Sequence, residues 1–318
     1  MFNSIVKSLQ SWSHLSMTQP SSDFKLNKGD TIGIFAPSSY VDMNKLTHAQ
    51  TIIEKIGFQV FVHPQTSMRL NQSAGSAEDK ATAFHDLLTD NSIKAIMAVS
   101  GGNRSSHMLE HINWQCVEKN PKPFIGFSDT TILQNALLTR TGISSIFGPT
   151  ALYLQNIDKT SINYLGDILQ GKTIKYNLSN AKTIAESTAT ATVIGGTLTA
   201  FQALIGTEYM PDAKGKILLL EDTYEETSRI DRALLQLKRA LPFENLAGII
   251  FGTFTHLQDT GKIPFGFSLE DIIREHTTGL NIPIVMNAPF GHSDTFYPIP
   301  LGSSVKLDTQ KDNITISF

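Results

Sequence analysis

Short apolar runs alternate with stretches of helical periodicity through the first half of the chain, and this rhythm predicts its architecture. Thr31-Ile32-Gly33-Ile34-Phe35-Ala36-Pro37 is a β-rich run stopped by proline and two serines. Residues 46–56 read as a helix and 59–62 as a second strand. Residues 77–88 read as a helix with Ala81, Phe84, Leu87 and Leu88 on one face. A third strand at 95–99, a helix at 106–112 and a fourth apolar run from Pro123 follow. Strands without polar alternation are buried on both faces, the signature of a parallel sheet flanked by helices.

After Pro149 the rhythm changes. A linking segment carries one helix, marked by Ile162, Leu165, Ile168 and Leu169. From Lys172 the chain turns β-rich: Thr188 to Ile194 alternates small and branched residues, and apolar strands at 216–221 and 246–252 flank a helix at 228–240. Residues 305–308 and 314–318 read as a terminal hairpin. The expected organisation is a disordered leader at 1–24 and an N-terminal α/β domain, flavodoxin- or Rossmann-like, at 25–152. A linker at 153–172 joins it to a smaller β-rich α/β domain at 173–318.

Composition narrows the function without choosing it. The 318 residues are 41% hydrophobic and 17% charged, as in water-soluble globular proteins. A net charge of −3 gives no footprint for nucleic acid or an anionic membrane, and no apolar run is long enough to span a bilayer. The serine-rich first 22 residues lack a continuous apolar segment and a cleavage site, and Met17 is a candidate start beside Met1; a cytoplasmic protein is expected. A single cysteine, Cys116, excludes an internal disulfide framework and reads as a packing residue.

Four polar features fall at the C-terminal ends of expected strands, where open α/β sheets place their ligands. Ser128 stands where the run Pro123-Phe124-Ile125-Gly126-Phe127 breaks into a helical pattern. Such a serine either caps the helix or is presented as a nucleophile, and the local pattern admits both. The turn Ser100-Gly101-Gly102-Asn103 lets backbone N–H groups approach a ligand, as an oxyanion hole or a phosphate cradle, or is simply a tight connection. Glu221-Asp222 follows the apolar strand 217–220, and His292 lies on the loop Ala288-Pro289-Phe290-Gly291-His292-Ser293. Serine, imidazole and carboxylate together are what nucleophilic acyl transfer requires: the imidazole takes the hydroxyl proton, and the carboxylate fixes its tautomer. Backbone N–H groups of Asp129 and the Gly101-Gly102 turn would hold the oxyanion. The order Gly126-Phe127-Ser128-Asp129-Thr130 lacks the last glycine of the α/β-hydrolase elbow.

Other candidates are weaker. His107 and His111, four apart on an expected helix, have a zinc-ligand spacing but no third ligand. His14, His48, His63, His85 and His276 have surface-like settings, and His256 at a strand end is a minor candidate for lining a cleft. Phe127, Phe290 and Tyr297 are placed either to shape a pocket or to pack.

These motifs resemble the LD-carboxypeptidases, a serine peptidase family that includes the microcin C immunity proteins. The resemblance runs from Leu26 to the C-terminus. It rests on Lys28-Gly29-Asp30-Thr31-Ile32-Gly33, Ala36-Pro37-Ser38, Gly101-Gly102, the segment 121–129 and Gly148-Pro149. In the second half it rests on Gly195-Gly196-Thr197-Leu198, the segment 215–222, Arg229-Ile230-Asp231-Arg232 and Pro289-Phe290-Gly291-His292. It implies Ser128 as nucleophile, Glu221 as orienting carboxylate and His292 as general base. It also implies no metal or other cofactor, a homodimer, and a small peptide substrate: a murein tetrapeptide that loses its terminal D-alanine. Asn103, Arg104 and Arg232 are candidates for binding that substrate; a guanidinium fork suits a terminal carboxylate, which makes Arg104, Arg229 and Arg232 candidates for holding it, with surface ion pairing the alternative for the last two. Typical carboxypeptidase members have an arginine before the glycine pair and an aromatic-glycine after it, where this chain has Ser100 and Asn103-Arg104. The glycine–asparagine version is closer to the immunity branch, whose longer insertion before the carboxylate is absent between Gly206 and Gly215.

Overall fold

The apolar runs of the first half pair as parallel neighbours, with helices between them. The computed structural model describes residues 25–310 and 314–318, and the expected leader lies outside them. The first sheet takes β1 (Thr31–Phe35), β2 (Gln59–Val62), β3 (Ile93–Ala98), β4 (Phe124–Gly126) and β5 (Ser145–Phe147). Between them run α1 (Leu46–Lys55), α2 (Ala77–Thr89), α3 (Trp114–Lys119) and α4 (Thr131–Thr141). Helix α5 (Lys159–Leu169) leads into the second half.

Local chemistry sets the helix ends. The Ser76 hydroxyl accepts from Asp79 N–H while the Asp79 carboxylate accepts from Ser76 N–H, a reciprocal cap that starts α2. Gly142 at φ 69° ends α4 in the left-handed conformation glycine adopts most cheaply. The expected helix at 106–112 is a 3-10 segment, Ser106–His111. With three residues per turn, positions four apart diverge, so His107 and His111 lose the shared face on which the chelate idea rested.

The second half adds short strands β6 (Lys175–Asn177) and β7 (Lys182–Ala185) and the long β8 (Thr188–Thr197). Next come α6 (Leu198–Gln202), β9 (Ile217–Thr223), α7 (Thr227–Ala240), β10 (Gly248–Thr255), α8 (Leu269–Thr277) and β11 (Ile284–Met286). The chain ends with β12 (Ile299–Leu301), β13 (Ser304–Asp308) and β14 (Thr315–Ser317). Strands β8, β9, β10 and β11 are mutually parallel, and antiparallel strands extend this sheet on both sides in the order β6-β14-β13-β8-β9-β10-β11-β7. The expected terminal hairpin is β13–β14. Strand β12 instead crosses to the first sheet and pairs antiparallel with β5, giving the order β12-β5-β4-β3-β1-β2. Among the described residues no helix is long and apolar enough to cross a membrane.

Both hydrophobic cores draw on both halves. In one, Phe84, Leu133 and Leu137 join Leu198, Phe201, Leu220 and Leu234; in the other, Ile34, Ile53 and Phe147 join Leu219, Phe290 and Phe296. Polar contacts register the halves more tightly. Buried Asn135 on α4 donates from Nδ2 to Gly195 O at 2.8 Å, and its Oδ1 accepts from Gly195 N–H at 3.2 Å. Thr131 Oγ1 accepts from Thr197 N–H at 3.1 Å. A Cβ at Gly196 would lie 2.6 Å from Thr131 Oγ1, so the glycine pair lets α4 approach β8.

Asn135→Ala strips both partners from the buried Gly195 amide. It is expected to lower unfolding free energy in urea by about 2–4 kcal/mol, with little change in m-value; a loss below measurement error would remove this clamp from the account.

Candidate active site

Strand β4 ends at Gly126, where a Cβ would meet Thr130 Oγ1 at 2.5 Å. Phe127 is extended, and Ser128 then takes φ 63°, in the left-handed region that non-glycine residues enter at a cost. This reversal lifts the hydroxyl off the sheet edge before a 3-10 turn, Ser128–Thr130, feeds α4. The Ser128 hydroxyl caps neither segment, which sets aside the capping role the local pattern allowed.

The turn after β3 lies directly against this serine. A Cβ on Gly101 would sit 2.8 Å from Ser128 Cβ, 2.9 Å from its Oγ and 3.6 Å from Asp129 N. Gly102 has φ 118° and packs on Ser39, whose Oγ accepts from Asn103 N–H at 3.2 Å. Arg104 follows, exposed and at φ 78°. The Asp129 carboxylate fastens three strand ends: its Oδ2 accepts from Ser38 Oγ at 2.6 Å and Ser105 N–H at 2.9 Å, while its carbonyl accepts from Ser105 Oγ at 2.7 Å. Beneath this network Lys80 is buried and donates to Arg104 O at 3.4 Å. Burial lowers its pKa to about 8, against the pull of the Asp129 charge.

Glu221, near the end of β9, is fully buried. Its Oε2 accepts from His292 N–H at 3.1 Å and faces His292 Nδ1 at 2.7 Å; its Oε1 accepts from the Thr197 hydroxyl, which stands opposite it in the parallel register. A Cβ at Gly291 would collide with the Glu221 carboxylate, and φ 104° there also requires glycine. Burial works against a charged His292 ring, but the Glu221 carboxylate, its hydrogen bond and the more distant Asp222 outweigh it and hold the pKa above its ordinary value. Asp222 points the other way, accepts from Thr199 N–H and Thr223 N–H, and is raised to about 6 by burial and by Glu221.

Two paths join this pair to Ser128. The His292 ring packs on Phe127, centroids 4.6 Å apart, and Phe127 immediately precedes Ser128. On the other side Thr131, three residues after Ser128, holds Thr197, which holds Glu221. Ser128 Oγ has no hydrogen-bond partner among the described residues. Asp129, Gly101, Gly102, Asn103 and Arg104 share the Ser128 corner, whereas no hydrogen bond or ion pair joins exposed Arg232 to these groups among the described residues. Phe127 and Phe290 are packing residues, both buried. His276 is buried too, not surface-like; it bonds Asp231 at 2.8 Å and ties α8 to α7.

Tyr153 is a residue the periodicity did not single out. Its ring lies 4.8 Å from Phe127 and 6.2 Å from His292, and its hydroxyl donates to Ser293 O at 3.4 Å. Burial, then Glu221, Asp294 and Tyr224, push its phenol up to about 12, so it stays protonated. Thr197 is the other, and its signal was the Gly-Gly-Thr ending of a strand. Among the described residues no three His, Cys, Asp or Glu side chains cluster to hold a metal. A cavity of about 240 Å³ lined by Ser144, Ser145 and Ile146 lies where β5 begins, at the opposite ends of the strands.

Residues 32–148 match the family model of the LD-carboxypeptidase N-terminal domain, and 190–307 match that of its C-terminal domain. A probable murein peptide carboxypeptidase of Bacillus subtilis (strain 168) is 28% identical over 296 residues, covering 92% of each chain. The microcin C7 self-immunity protein MccF of Escherichia coli is 25% identical over 328 residues, covering 91% of this chain and 93% of its own. The crystal structure of muramoyltetrapeptide carboxypeptidase from Oxalobacter formigenes superposes with a TM-score of 0.82 at 25% identity, covering 90% of this chain and 98% of that one.

The His292–Glu221 pair has a consequence for pH. A histidine whose folded pKa is raised adds stability that is complete below its unfolded value of 6.5 and is lost as pH rises through the folded value. NMR titration of the His292 ring should give a pKa above 6.5 in the wild type. In Glu221→Gln it should fall, because burial is then opposed only by the smaller effect of Asp222; an unchanged midpoint would show that the carboxylate does not set it.

Proposed function

The chain belongs to the LD-carboxypeptidase family, and from that premise we propose that it is a serine carboxypeptidase releasing the terminal D-alanine of murein tetrapeptides by cleaving its bond to the diamino acid. The observation that carries this reading is the buried Glu221–His292 hydrogen bond at the same strand ends as a serine held in a left-handed elbow. Ser128 Oγ attacks the scissile carbonyl while His292 Nε2 takes the hydroxyl proton, and Glu221 stabilises the imidazolium through Nδ1. Backbone N–H groups of Asp129 and the Gly101-Gly102 turn hold the developing oxyanion. The intermediate collapses by breaking the C–N bond, and His292 returns the proton to the departing D-alanine amine. Water, deprotonated by the same imidazole, then releases the acyl group from Ser128.

The substrate's terminal carboxylate is assigned to Arg104 and Asn103, which follow the oxyanion turn directly. Arg104 is exposed there, and its left-handed backbone turns the chain at that point. A second reading within the family is cleavage of peptidyl-nucleotide conjugates. It has support from the MccF relative and from Asn103 after the glycine pair, while the short Gly206–Gly215 link speaks against it. A non-catalytic binding module would leave the Glu221–His292 pair without a use.

Ser128→Ala should lower D-alanine release from tetrapeptide by about 10⁴-fold or more without moving Tm. Near wild-type turnover by this variant would remove Ser128 as nucleophile. Assaying the wild type on tetrapeptide beside an aminoacyl sulfamoyl adenylate separates the two substrate readings by their kcat/KM ratio.

A further inference from the structure

Strands β9 and β10 run in parallel register to Thr223 opposite Thr255, and then both chains make the same unusual step. Tyr224 takes φ 56° and His256 takes φ 53°. Their rings stack, centroids 4.5 Å apart and planes 13° from parallel. The paired kink is fastened by Tyr224 N–H to Thr255 O at 3.1 Å, Gln258 N–H to Glu225 O at 2.9 Å, and the two threonine hydroxyls at 2.8 Å. A glycine would make either step without strain, so the backbone alone does not account for two aromatic rings here. The stack is also poorly placed as core, since Tyr224 is 67% exposed.

The stack adjoins the catalytic groups. Thr255, next to His256, donates from Oγ1 to His292 O at 3.0 Å. Tyr224 follows Glu221 by three residues and is close enough to raise the phenol pKa of Tyr153, behind burial, Glu221 and Asp294. Glu225 and Glu226 follow directly in the chain, the first paired with Arg229 at 3.7 Å and the second bonded to Thr260, so the ring face is left to other contacts.

We propose that the Tyr224–His256 stack is a specificity wall for the diamino acid residue of the substrate, its ring face covering the aliphatic stem and holding the terminal ammonium by cation–π attraction. This rests on the carboxypeptidase reading above. A long methylene stem ending in a cation matches both the apolar face and the negative quadrupole of a tyrosine ring, and an acylated stem matches only the first.

The test compares wild type, Tyr224→Gly and Tyr224→Phe on a lysine-type murein tetrapeptide and on its Nε-acetyl analogue. Glycine keeps the left-handed kink while deleting the ring, so Tm should hold within a few degrees, and phenylalanine should keep wild-type kinetics. Tyr224→Gly should raise KM for the tetrapeptide about five- to tenfold, leave its kcat within about twofold and raise KM for the acetyl analogue, which loses only the apolar cover of its stem, by no more than about twofold. An unchanged KM for the tetrapeptide, or an equal rise for both substrates, overturns the inference while D-alanine release by the wild type leaves the carboxypeptidase reading standing. If the wild type releases no D-alanine from either peptide, the reading falls and this inference falls with it.

Discussion

A carboxylate buried without access to water is the constraint around which this molecule is arranged. An isolated charge in such a place is far too costly to persist. Glu221 is sustained by directed donors: the Thr197 hydroxyl on one oxygen, and the His292 amide and imidazole on the other. Each donor makes its own demand. Thr197 must end β8 in register with Glu221, Gly291 must be a glycine because the carboxylate fills the space of its Cβ, and the His292 loop must close tightly over β9 and β10. Removing one partner leaves a buried charge uncompensated, so the arrangement is kept or lost as a whole.

The same contacts connect the two sheets into one circuit. From Ser128 the chain enters α4, where Thr131 holds Thr197; Thr197 holds Glu221; Glu221 holds His292; and the His292 ring rests on Phe127, back at the elbow. Asn135 clamping Gly195 keeps this path short one turn further along α4. A site assembled from two sheets would ordinarily be exposed to sliding between them. Here the side chains that register the sheets include those that orient the imidazole, so positional order at the site follows from the packing of α4 on β8.

Much of this was legible in the sequence because it depends on strand ends. Unbroken apolar runs marked the parallel strands, and polar residues just after them marked where chemistry can sit, which singled out Ser128, Glu221 and His292 as candidates. What the periodicity missed has a physical basis in each case. Strand β12 is three residues with proline in the middle, and only its antiparallel pairing to β5 makes it a strand. Segment 106–111 has helical composition but winds as 3-10. His276 looked like a surface residue because its partner Asp231 is 45 positions away. Tyr153 sits in a connection without a repeating pattern, and its closeness to His292 arises from tertiary folding alone.

Backbone strain is the other feature that local pattern could not reveal, and its distribution carries meaning. Six non-glycine residues among those described adopt positive φ: Asn71, Arg104, Ser128, Tyr224, His256 and Asn287. Ser128, Tyr224, His256 and Asn287 stand one or two residues beyond the C-terminal ends of β4, β9, β10 and β11, and Arg104 follows the glycine turn after β3, on the side that also carries Glu221 and His292. Left-handed residues reverse the chain within one step, so they project a side chain outward from a sheet edge instead of along it. Glycine does this at less cost and projects nothing. Where the chain accepts the strain of a larger residue, the side chain is the reason, and at Ser128 the hydroxyl so presented makes no structural hydrogen bond among the described residues. The strain is tolerable because a stiff surround opposes its relaxation: Asp129 bound by Ser38 and Ser105 behind the elbow, and the paired threonines behind Tyr224.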